Sequence, residues 1–402
     1  MLIRGGRALV EGSLEPADLR LEDGLVAEIG APQRDGALTL DAAGLLVLPA
    51  FIDIHGDAFE RQVMPRDGVF VPTEVAVLET DRQLAANGIA TAYHALTLSW
   101  EPGLRSVERG EAFIDAIAAL DGRLTVENRV QLRWETFAFE ALPLMRRALA
   151  APTTPSIAFN DHTSMHMRRF GMALQERPLR LGPDEVAALD DPRMRLRSEG
   201  NARRAGLPVD EYVALLGRIW AREPQVEAVV QEVAAAARAA RAPLLSHDDS
   251  QPQMRDYFAA LGADIAEFPM AEHTARAARA RGDWVVLGAP NAARGGSHLG
   301  SPAAADLLED GTCNILASDY YDPAMLAAVA RLHAERRAPF AALWDLVARN
   351  PALASGLPDR GEIAEGRRAD LVLVEWPEGG VPAVKATLSA GRIAYLGADL
   401  LR

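Results

Sequence analysis

The sequence contains a single cysteine, Cys313, among 402 residues. One cysteine excludes an intramolecular disulfide and any zinc site built from several thiolates. No apolar run approaches the roughly 20 residues that a bilayer-spanning helix needs. The chain also does not open with the basic, apolar and small-residue succession of a signal peptide. These shortages predict a cytoplasmic protein that has no membrane partner.

Positive charge is in short supply as well, since 42 Lys and Arg stand against 56 Asp and Glu, for a net charge of −14. A nucleic-acid partner is disfavoured, because a phosphate backbone is bound by a basic surface. A small anionic, phosphorylated substrate remains compatible with this balance, since a local cluster of arginines can oppose the overall sign. The oligomeric state stays open, with a homo-oligomer among the options.

The length and the hydrophobic content of 49% suit a large barrel with a smaller domain beside it. Strand-like runs separated by turns occur near both ends of the chain, for example Arg7–Val10, Leu25–Ile29 and Asp370–Val374. Neither end is long enough to fold alone. We therefore predict that residues 1–48 and 358–402 combine into one small β-sandwich domain.

The middle of the chain, residues 49–357, alternates strand and helix signals. The predicted strands are Phe51–His55, Ile89–Leu96, Val130–Glu135, Ser156–Phe159, Pro243–His247, Asp264–Phe268, Trp284–Gly288 and Asn314–Ala317. Eight strands that alternate with helices predict an α/β fold, a (β/α)₈ barrel. The interval Thr163–Arg222 has few strand signals and several arginines and prolines, which suggests an insertion that caps the mouth of the barrel.

Several predicted strands end in residues that can bind metal. His55 and Asp57 lie two residues apart, so both can point into the barrel. The other strand ends carry Glu135, Asn160-Asp161-His162, His247-Asp248-Asp249 and Asp319. Barrel sites are built from the C-terminal ends of strands, and imidazoles and carboxylates are ligands of Zn²⁺ and similar ions. A metal site explains this set better than a row of buried, unpaired charges, which would be costly.

The chain resembles the amidohydrolase superfamily, and more closely its PhnM-type group, the ribose 1-methylphosphonate 5-triphosphate diphosphatases of phosphonate breakdown. Leu48–His55 is similar to the first-strand signature of the superfamily and Gly361–Val372 to its C-terminal signature. The stretches that match the narrower group are His55-x-Asp57, Met64-Pro65-Arg66, Ser246–Asp249, Ala266–Pro269, Gly288–Asn291, Arg294–His298 and Ser318–Tyr321. The surroundings depart from that pattern, as at Gly56, Asp67 and His94, which leaves the exact substrate open.

The resemblance implies a site with two divalent ions, most simply zinc. Its implied ligands are His55, Asp57, Glu135, His162, His247 and Asp319. Glu135 would bridge the ions, in place of the carboxylated lysine of many relatives, because the only lysine of this chain, Lys385, lies in the predicted terminal domain. Glu267 is an alternative ligand or a residue that supports one, with a lower rank.

A loop rich in glycine follows the seventh predicted strand and contains Arg294, Gly295, Gly296 and His298. Taken alone it could be an ordinary turn beside a solvated arginine. Next to a metal site it predicts phosphate binding, because glycine amides and an arginine can hold an anion and barrels often bind phosphate in the loops after their last strands. Arg66, near the end of the first strand, is a weaker candidate for the same role.

Together these features predict a hydrolase in which metal-activated water attacks a phosphoryl or acyl centre, with Asp319 as the residue that moves the proton. The PhnM-type resemblance implies a triphosphate ester of a ribose as substrate and pyrophosphate as product. Two alternatives stay open: the same site could act on a C–N bond, as a cyclic amidase or deaminase, or the barrel could be an inactive subunit of a complex.

Overall fold

Strands and helices alternate along most of the chain in the computed structural model, which describes residues 1–30, 38–296, 300, 302–397 and 400. The strands are β1 (Leu2–Arg4), β2 (Arg7–Val10), β3 (Ser13–Pro16), β4 (Asp18–Glu22), β5 (Leu25–Gly30), β6 (Thr39–Asp41), β7 (Leu45–Pro49), β8 (Phe51–Gly56), β9 (Ile89–Leu98), β10 (Glu127–Glu135), β11 (Ser156–Asn160), β12 (Leu244–His247), β13 (Ile265–Glu267), β14 (Trp284–Gly288), β15 (Ile315–Ala317), β16 (Leu371–Glu375), β17 (Ala383–Ser389) and β18 (Arg392–Leu396). The helices are α1 (Glu60–Val63), α2 (Thr73–Ala86), α3 (Val107–Ala119), α4 (Leu142–Leu149), α5 (His162–Met167), α6 (Pro192–Ala205), α7 (Val209–Trp220), α8 (Glu223–Ala239), α9 (Pro252–Ala260), α10 (Glu272–Ala280), α11 (Ala289–Arg294), α12 (Ala304–Glu309), α13 (Ala324–Ala334), α14 (Phe340–Asp345) and α15 (Arg349–Ala354).

The parallel strands β8 to β15 form an eight-stranded sheet in chain order. A bridge between Gly56 and Asp319 joins its first and last strands, so the sheet closes into a barrel. The predicted (β/α)₈ fold is therefore confirmed. Three strands, β12, β13 and β15, are shorter than predicted. β13, for example, ends at Glu267 because Phe268 adopts a positive φ of 52° that a strand cannot accommodate.

The barrel strands are buried on both faces, which explains why they lack polar alternation. All ten residues of β9 are buried. The interior of the barrel is filled by side chains such as Ile52, Tyr93 and Leu245, while the outer faces pack against the surrounding helices. The barrel is therefore filled below its mouth, and polar chemistry is confined to the C-terminal ends of the strands.

Two further sheets are built from both ends of the chain. Their strand orders are β5-β4-β1-β6 and β18-β17-β16-β7-β2-β3. The antiparallel pairing of β16 with β7 brings the C-terminal segment against the N-terminal one, and the sheets share a core that includes Ile3, Leu19 and Leu388. This sandwich confirms the predicted fold class, while β3, β6, β7 and β17 are strands that sequence reasoning did not identify.

The interval Thr163–Arg222 is mainly helical, with most of α5 and all of α6 and α7 in it. Asp191 caps the start of α6, followed by Pro192, and Gly206 ends that helix with a φ of 69°. These helices stand beside the C-terminal ends of the barrel strands. None of the helices in the described part of the chain is both long and apolar enough to cross a membrane.

Candidate metal centre

The first group of potential ligands consists of His55, His247 and Glu267, all buried. His55 Nδ1 lies 2.9 Å from Glu267 Oε1, and His247 Nε2 lies 3.8 Å from Glu267 Oε2. The register of β12 and β13 pairs His247 with Glu267 at the ends of neighbouring strands. In the described part of the chain, His247 Nε2 and Glu267 Oε2 are buried without a hydrogen bond. Such orphaned atoms are expected where an ion completes the site.

The second group consists of His55, Asp57 and Asp319. The backbone holds them together, because the Asp319 amide donates to the His55 carbonyl at 2.9 Å and the Asp57 amide donates to the Asp319 carbonyl at 2.8 Å. Burial and the nearby Asp57 carboxylate raise the pKa of Asp319 to about 6. The seam that closes the barrel thus also places three potential ligands.

The two ligand groups share His55, and because a neutral imidazole has one nitrogen with a free lone pair, His55 can serve only one of two divalent ions. Within each group, the potential ligand atoms all lie within 4.8 Å of one another. The donors are imidazole nitrogens and carboxylate oxygens, the set that zinc and related ions take. A closed barrel with these donors at its C-terminal mouth is an architecture that metal-dependent barrel enzymes use.

The charges in the site depend on one another. Burial lowers the pKa of His247, and the positive charge of Arg133 lowers it further. Burial would also lower the pKa of His55, but the adjacent Glu267 carboxylate outweighs it and raises that pKa. Burial would raise the pKa of Asp248, yet His247 and His162 hold it well below its usual value. At the centre, Asp248 is therefore kept ionised by its neighbours and the His247 imidazole tends to be neutral, the form in which a histidine binds a metal.

Of the six predicted ligands, the structure brings His55, Asp57, His247 and Asp319 together and leaves Glu135 and His162 outside both groups. The Glu135 carboxylate accepts hydrogen bonds from the Thr163 hydroxyl at 2.7 Å and from the amides of His162 and Thr163 at 3.0 Å. Those amides begin α5 and would otherwise lack partners. Burial and Asp161 raise the pKa of Glu135 to about 8. Its bridging role stays a prediction.

His162 lies at the mouth of the centre. Its Nε2 is 3.6 Å from Asp248 Oδ2, and its ring centroid is 6.2 Å from that of His247. Burial lowers its pKa to about 4. Its side chain lines two cavities, one at the metal centre and one beside it. Ligation by His162 stays a prediction.

The predicted phosphate loop borders the cavity at the metal centre. This cavity has a volume of about 320 Å³, and its lining includes Arg294 and Gly296. Arg294 ends α11, and Gly295 follows it with a φ of 86°. The amides of Gly295 and Gly296 both donate to the Asn291 carbonyl at 3.0 Å. They therefore form the hydrogen bonds that end α11. Anion binding by the two glycines stays a prediction.

Arg66, another predicted anion ligand, is not brought to the centre. Arg66 lies in an exposed turn, where it pairs with Val69, and it is not among the described residues that line the cavity. His298 lies outside the described residues.

Sequence reasoning missed two arginines and ranked one carboxylate too low for its position. Arg133 lies 3.5 Å from Asp57 Oδ2, and Arg105 lines the cavity as well. Arg133 precedes Glu135 by two residues on β10, so the alternation of the strand could have revealed it. Glu267 ends the sixth barrel strand, which is the same signal that identified His247. Arg105 follows a strand by several residues and gave no such signal.

Three residues at or beside the ligands have a strained backbone. Asp248, Phe268 and Asp319 have φ values of 59°, 52° and 56° and directly follow His247, Glu267 and Ser318. A bulky residue such as Phe268 in this region costs on the order of 1–3 kcal/mol. The chain maintains this geometry at three strand ends that surround the centre, which is typical of sites where side-chain direction matters.

Comparisons with known proteins agree with this architecture. A model of the amidohydrolase family matches residues 202–395. The alpha-D-ribose 1-methylphosphonate 5-triphosphate diphosphatase of Escherichia coli (strain K12) is 32% identical over 378 residues, which cover 93% of this chain and 94% of that protein. Among solved structures, a D-hydantoinase has a TM-score of 0.61 at 13% identity and covers 100% of this chain and 96% of its own. A molinate hydrolase has a TM-score of 0.62 at 14% identity, with coverages of 98% and 94%.

The chain therefore belongs to the amidohydrolase family of hydrolases. The relative that matches it along nearly its whole length is a diphosphatase, and the two solved structures share its fold.

Proposed function

We propose that this chain is a cytoplasmic, metal-dependent diphosphatase of phosphonate metabolism, which hydrolyses the triphosphate of a ribose 1-alkylphosphonate 5-triphosphate and releases pyrophosphate. The observation that carries the proposal is the presence of Arg133 and Arg294 in the lining of the cavity at the two ligand groups. A triphosphate needs such a local counterweight in a chain with a net charge of −14. The similarity to the Escherichia coli diphosphatase supports the same substrate class.

The ligand groups would hold two divalent ions, zinc in this proposal. His55, Asp57 and Asp319 would hold one, and His247 and Glu267 would hold the other. When bound, the ions would lower the pKa of a water molecule and polarise a phosphoryl oxygen.

The chain's own side chains would move the proton and stabilise the charge. Asp319 would accept the proton of the attacking water as its oxygen bonds to the α-phosphorus. The bond from that phosphorus to the oxygen shared with the β-phosphorus would break, and Asp319 would return the proton to the leaving pyrophosphate. Arg133 and Arg294 would offset the negative charge that develops on the phosphoryl oxygens.

The test is hydrolysis by the purified protein after loading with Zn²⁺ or Mn²⁺. A ribose 1-methylphosphonate 5-triphosphate, a nucleoside triphosphate and a hydantoin would be offered, and pyrophosphate release and ring opening would be measured. We expect one to two ions per chain by elemental analysis, pyrophosphate from the ribose triphosphate, loss of this activity with a chelator, and recovery on adding metal. Asp319→Asn should lower kcat by about 10²–10⁴-fold.

The outcome also decides between the alternatives. Ring opening of the hydantoin without pyrophosphate release would favour a hydrolase of C–N bonds. Protein that binds no metal and hydrolyses nothing would favour an inactive barrel.

A further inference from the structure

A second cavity, of about 300 Å³, lies beside the candidate metal centre. Arg105 and His162 line both cavities, so the two spaces adjoin. Much of the second cavity is formed by the insertion that contains α5, α6 and α7, and its lining includes Arg168, Arg197 and Arg204. The mechanism proposed above uses none of these three arginines.

Two of the arginines in this cavity are neutralised by carboxylates. Arg105 forms a two-pronged ion pair with Glu60, with distances of 2.8 and 2.9 Å. Arg204 donates to Glu101 at 2.8 Å. These two pairs are ordinary partly buried ion pairs and do not call for a ligand.

Arg168 and Arg197 lack such partners. Among the described residues, neither forms an ion pair, and both donate only to backbone carbonyls. Arg197 Nη1 donates to the carbonyls of His166 at 2.7 Å and Arg168 at 2.5 Å, and Arg168 Nε donates to that of Met172 at 3.0 Å. Arg168 Nη1 also donates to the Met165 carbonyl. Each guanidinium group has five N–H donors, more than these bonds use, and both residues line the cavity.

This placement is unfavourable unless an anion completes it. Both side chains are partly buried, and a charge taken out of water without a counterion is costly. Burial and repulsion by Arg168 lower the pKa of Arg197 to about 10, and burial and Arg177 lower that of Arg168. The neighbouring His166 adds no further positive charge, because burial lowers its pKa to about 4 and keeps its ring neutral.

The Arg197 side chain is also held in place before any ligand arrives. Its guanidinium carbon lies 4.1 Å from the centre of the Phe170 ring, and its two carbonyl acceptors fix one end of the guanidinium group. A guanidinium group fixed in this way loses little conformational entropy when it binds an anion.

We propose that Arg168 and Arg197 form a second oxyanion subsite, which holds a phosphate or phosphonate group of the substrate on the side of the metal centre away from Arg294. This rests on the proposed function, in which the substrate carries anionic groups at both ends of a ribose. The shared chemistry is a tetrahedral oxyanion, and its source is either the phosphonate or the far phosphates of the triphosphate.

The first test measures binding of methylphosphonate and of inorganic pyrophosphate to the metal-loaded protein by calorimetry. The variant is Arg168→Gln/Arg197→Gln. The control is Arg193→Gln, because Arg193 also stacks on Phe170, at 4.3 Å, but its side chain is 64% exposed and paired with Asp191. We expect the double variant to weaken one probe at least tenfold and the control to change both less than twofold. A loss for methylphosphonate assigns the phosphonate end, and a loss for pyrophosphate assigns the phosphates.

A second measurement uses the unaltered protein, since the double variant could disturb the insertion. A dicarbonyl reagent modifies accessible arginines, and mass spectrometry of peptides reports the modified positions. The probe that binds the subsite should protect Arg168 and Arg197 at least threefold and leave Arg193 unprotected. Binding of both probes within twofold of the parent, or the absence of protection at both arginines, would overturn the proposal.

These readouts separate the subsite from the proposed function. Protection of the two arginines in a protein that releases no pyrophosphate would refute the function and keep the subsite. Pyrophosphate release with an unchanged KM in the double variant would refute the subsite and keep the function.

Discussion

His55 and Glu267 meet at the floor of the candidate metal centre, with Nδ1 of the histidine 2.9 Å from Oε1 of the carboxylate. The two residues come from β8 and β13, and in the closed barrel β14 and β15 lie between those strands. Glu267 also accepts a hydrogen bond from Gln131 Nε2 at 2.8 Å, which fixes one of its oxygens. The other oxygen is buried without a hydrogen bond among the described residues, and this geometry makes Glu267 a ligand to test.

Glu267→Gln should reduce metal content, because it replaces a buried carboxylate by a neutral amide of the same shape. We expect the affinity for Zn²⁺ to fall at least tenfold, as measured by competition with a chelating dye. The matched variant is Glu135→Gln. In the parent, the Glu135 carboxylate accepts hydrogen bonds from the amides at the start of α5. If Glu135→Gln loses more metal than Glu267→Gln, Glu135 is the bridging ligand and the assignment to Glu267 fails.

Arg294→Ala should weaken the binding of phosphorylated substrates. The lost charge-assisted contact is worth roughly 1.5–3 kcal/mol, which corresponds to an increase in KM of about 10–100-fold. Metal content should stay unchanged, because Arg294 belongs to neither ligand group. Steady-state kinetics and elemental analysis check both points, and an unchanged KM would show that this loop does not bind phosphate.

The protein should become less stable in mild acid because His94 is buried in its neutral form. Burial lowers the pKa of this histidine to about 4, and its Nε2 lies 2.8 Å from Asn128 Oδ1. Between about pH 6.5 and 4 the unfolded chain takes up a proton there that the folded chain does not, so the free energy of unfolding falls as the pH falls. The fall in the free energy of unfolding that His94 causes across this pH range is roughly 3 kcal/mol.

His94→Gln should therefore flatten the dependence of stability on pH in that window. Urea unfolding at pH 7, 5.5 and 4.5 gives the slope. His273→Gln is the control, because His273 is exposed on α10 and should leave the slope as it is in the parent. Equal slopes for the two variants would contradict the assignment.

Gly56→Ala should loosen the seam that closes the barrel. A Cβ at this position would lie 2.5 Å from Asp53 Oδ2 and 2.9 Å from Ser318 Oγ, two atoms joined by a 2.6 Å hydrogen bond. We expect the free energy of unfolding to fall by about 1–3 kcal/mol, with a loss of metal affinity. Gly200→Ala, in an open position on α6, should be neutral or slightly stabilising. Equal thermal stability of the two variants would count against this account.

Much of the fold follows from local patterns in the sequence. The barrel strands could be predicted because a strand buried on both faces is an apolar run of limited length, as in Trp284–Gly288, which the structure reproduces with the same bounds. The short strands β3 and β6 could not, because the pairing that makes them strands comes from β2 and β1, and three or four residues carry little signal of their own.

The sequence by itself determined that His55 and Asp57 share a face, because side chains two apart on a strand point the same way. It also placed His247 and Asp319 at strand ends, where barrel sites lie. Only the tertiary structure distinguishes Glu135 from Glu267, which hold equivalent positions at the ends of their strands. The amides that begin α5 donate to the Glu135 carboxylate, whereas Gln131 donates to Glu267 and His55 lies against it. Contacts between residues far apart in the chain create this difference, and no local periodicity encodes them.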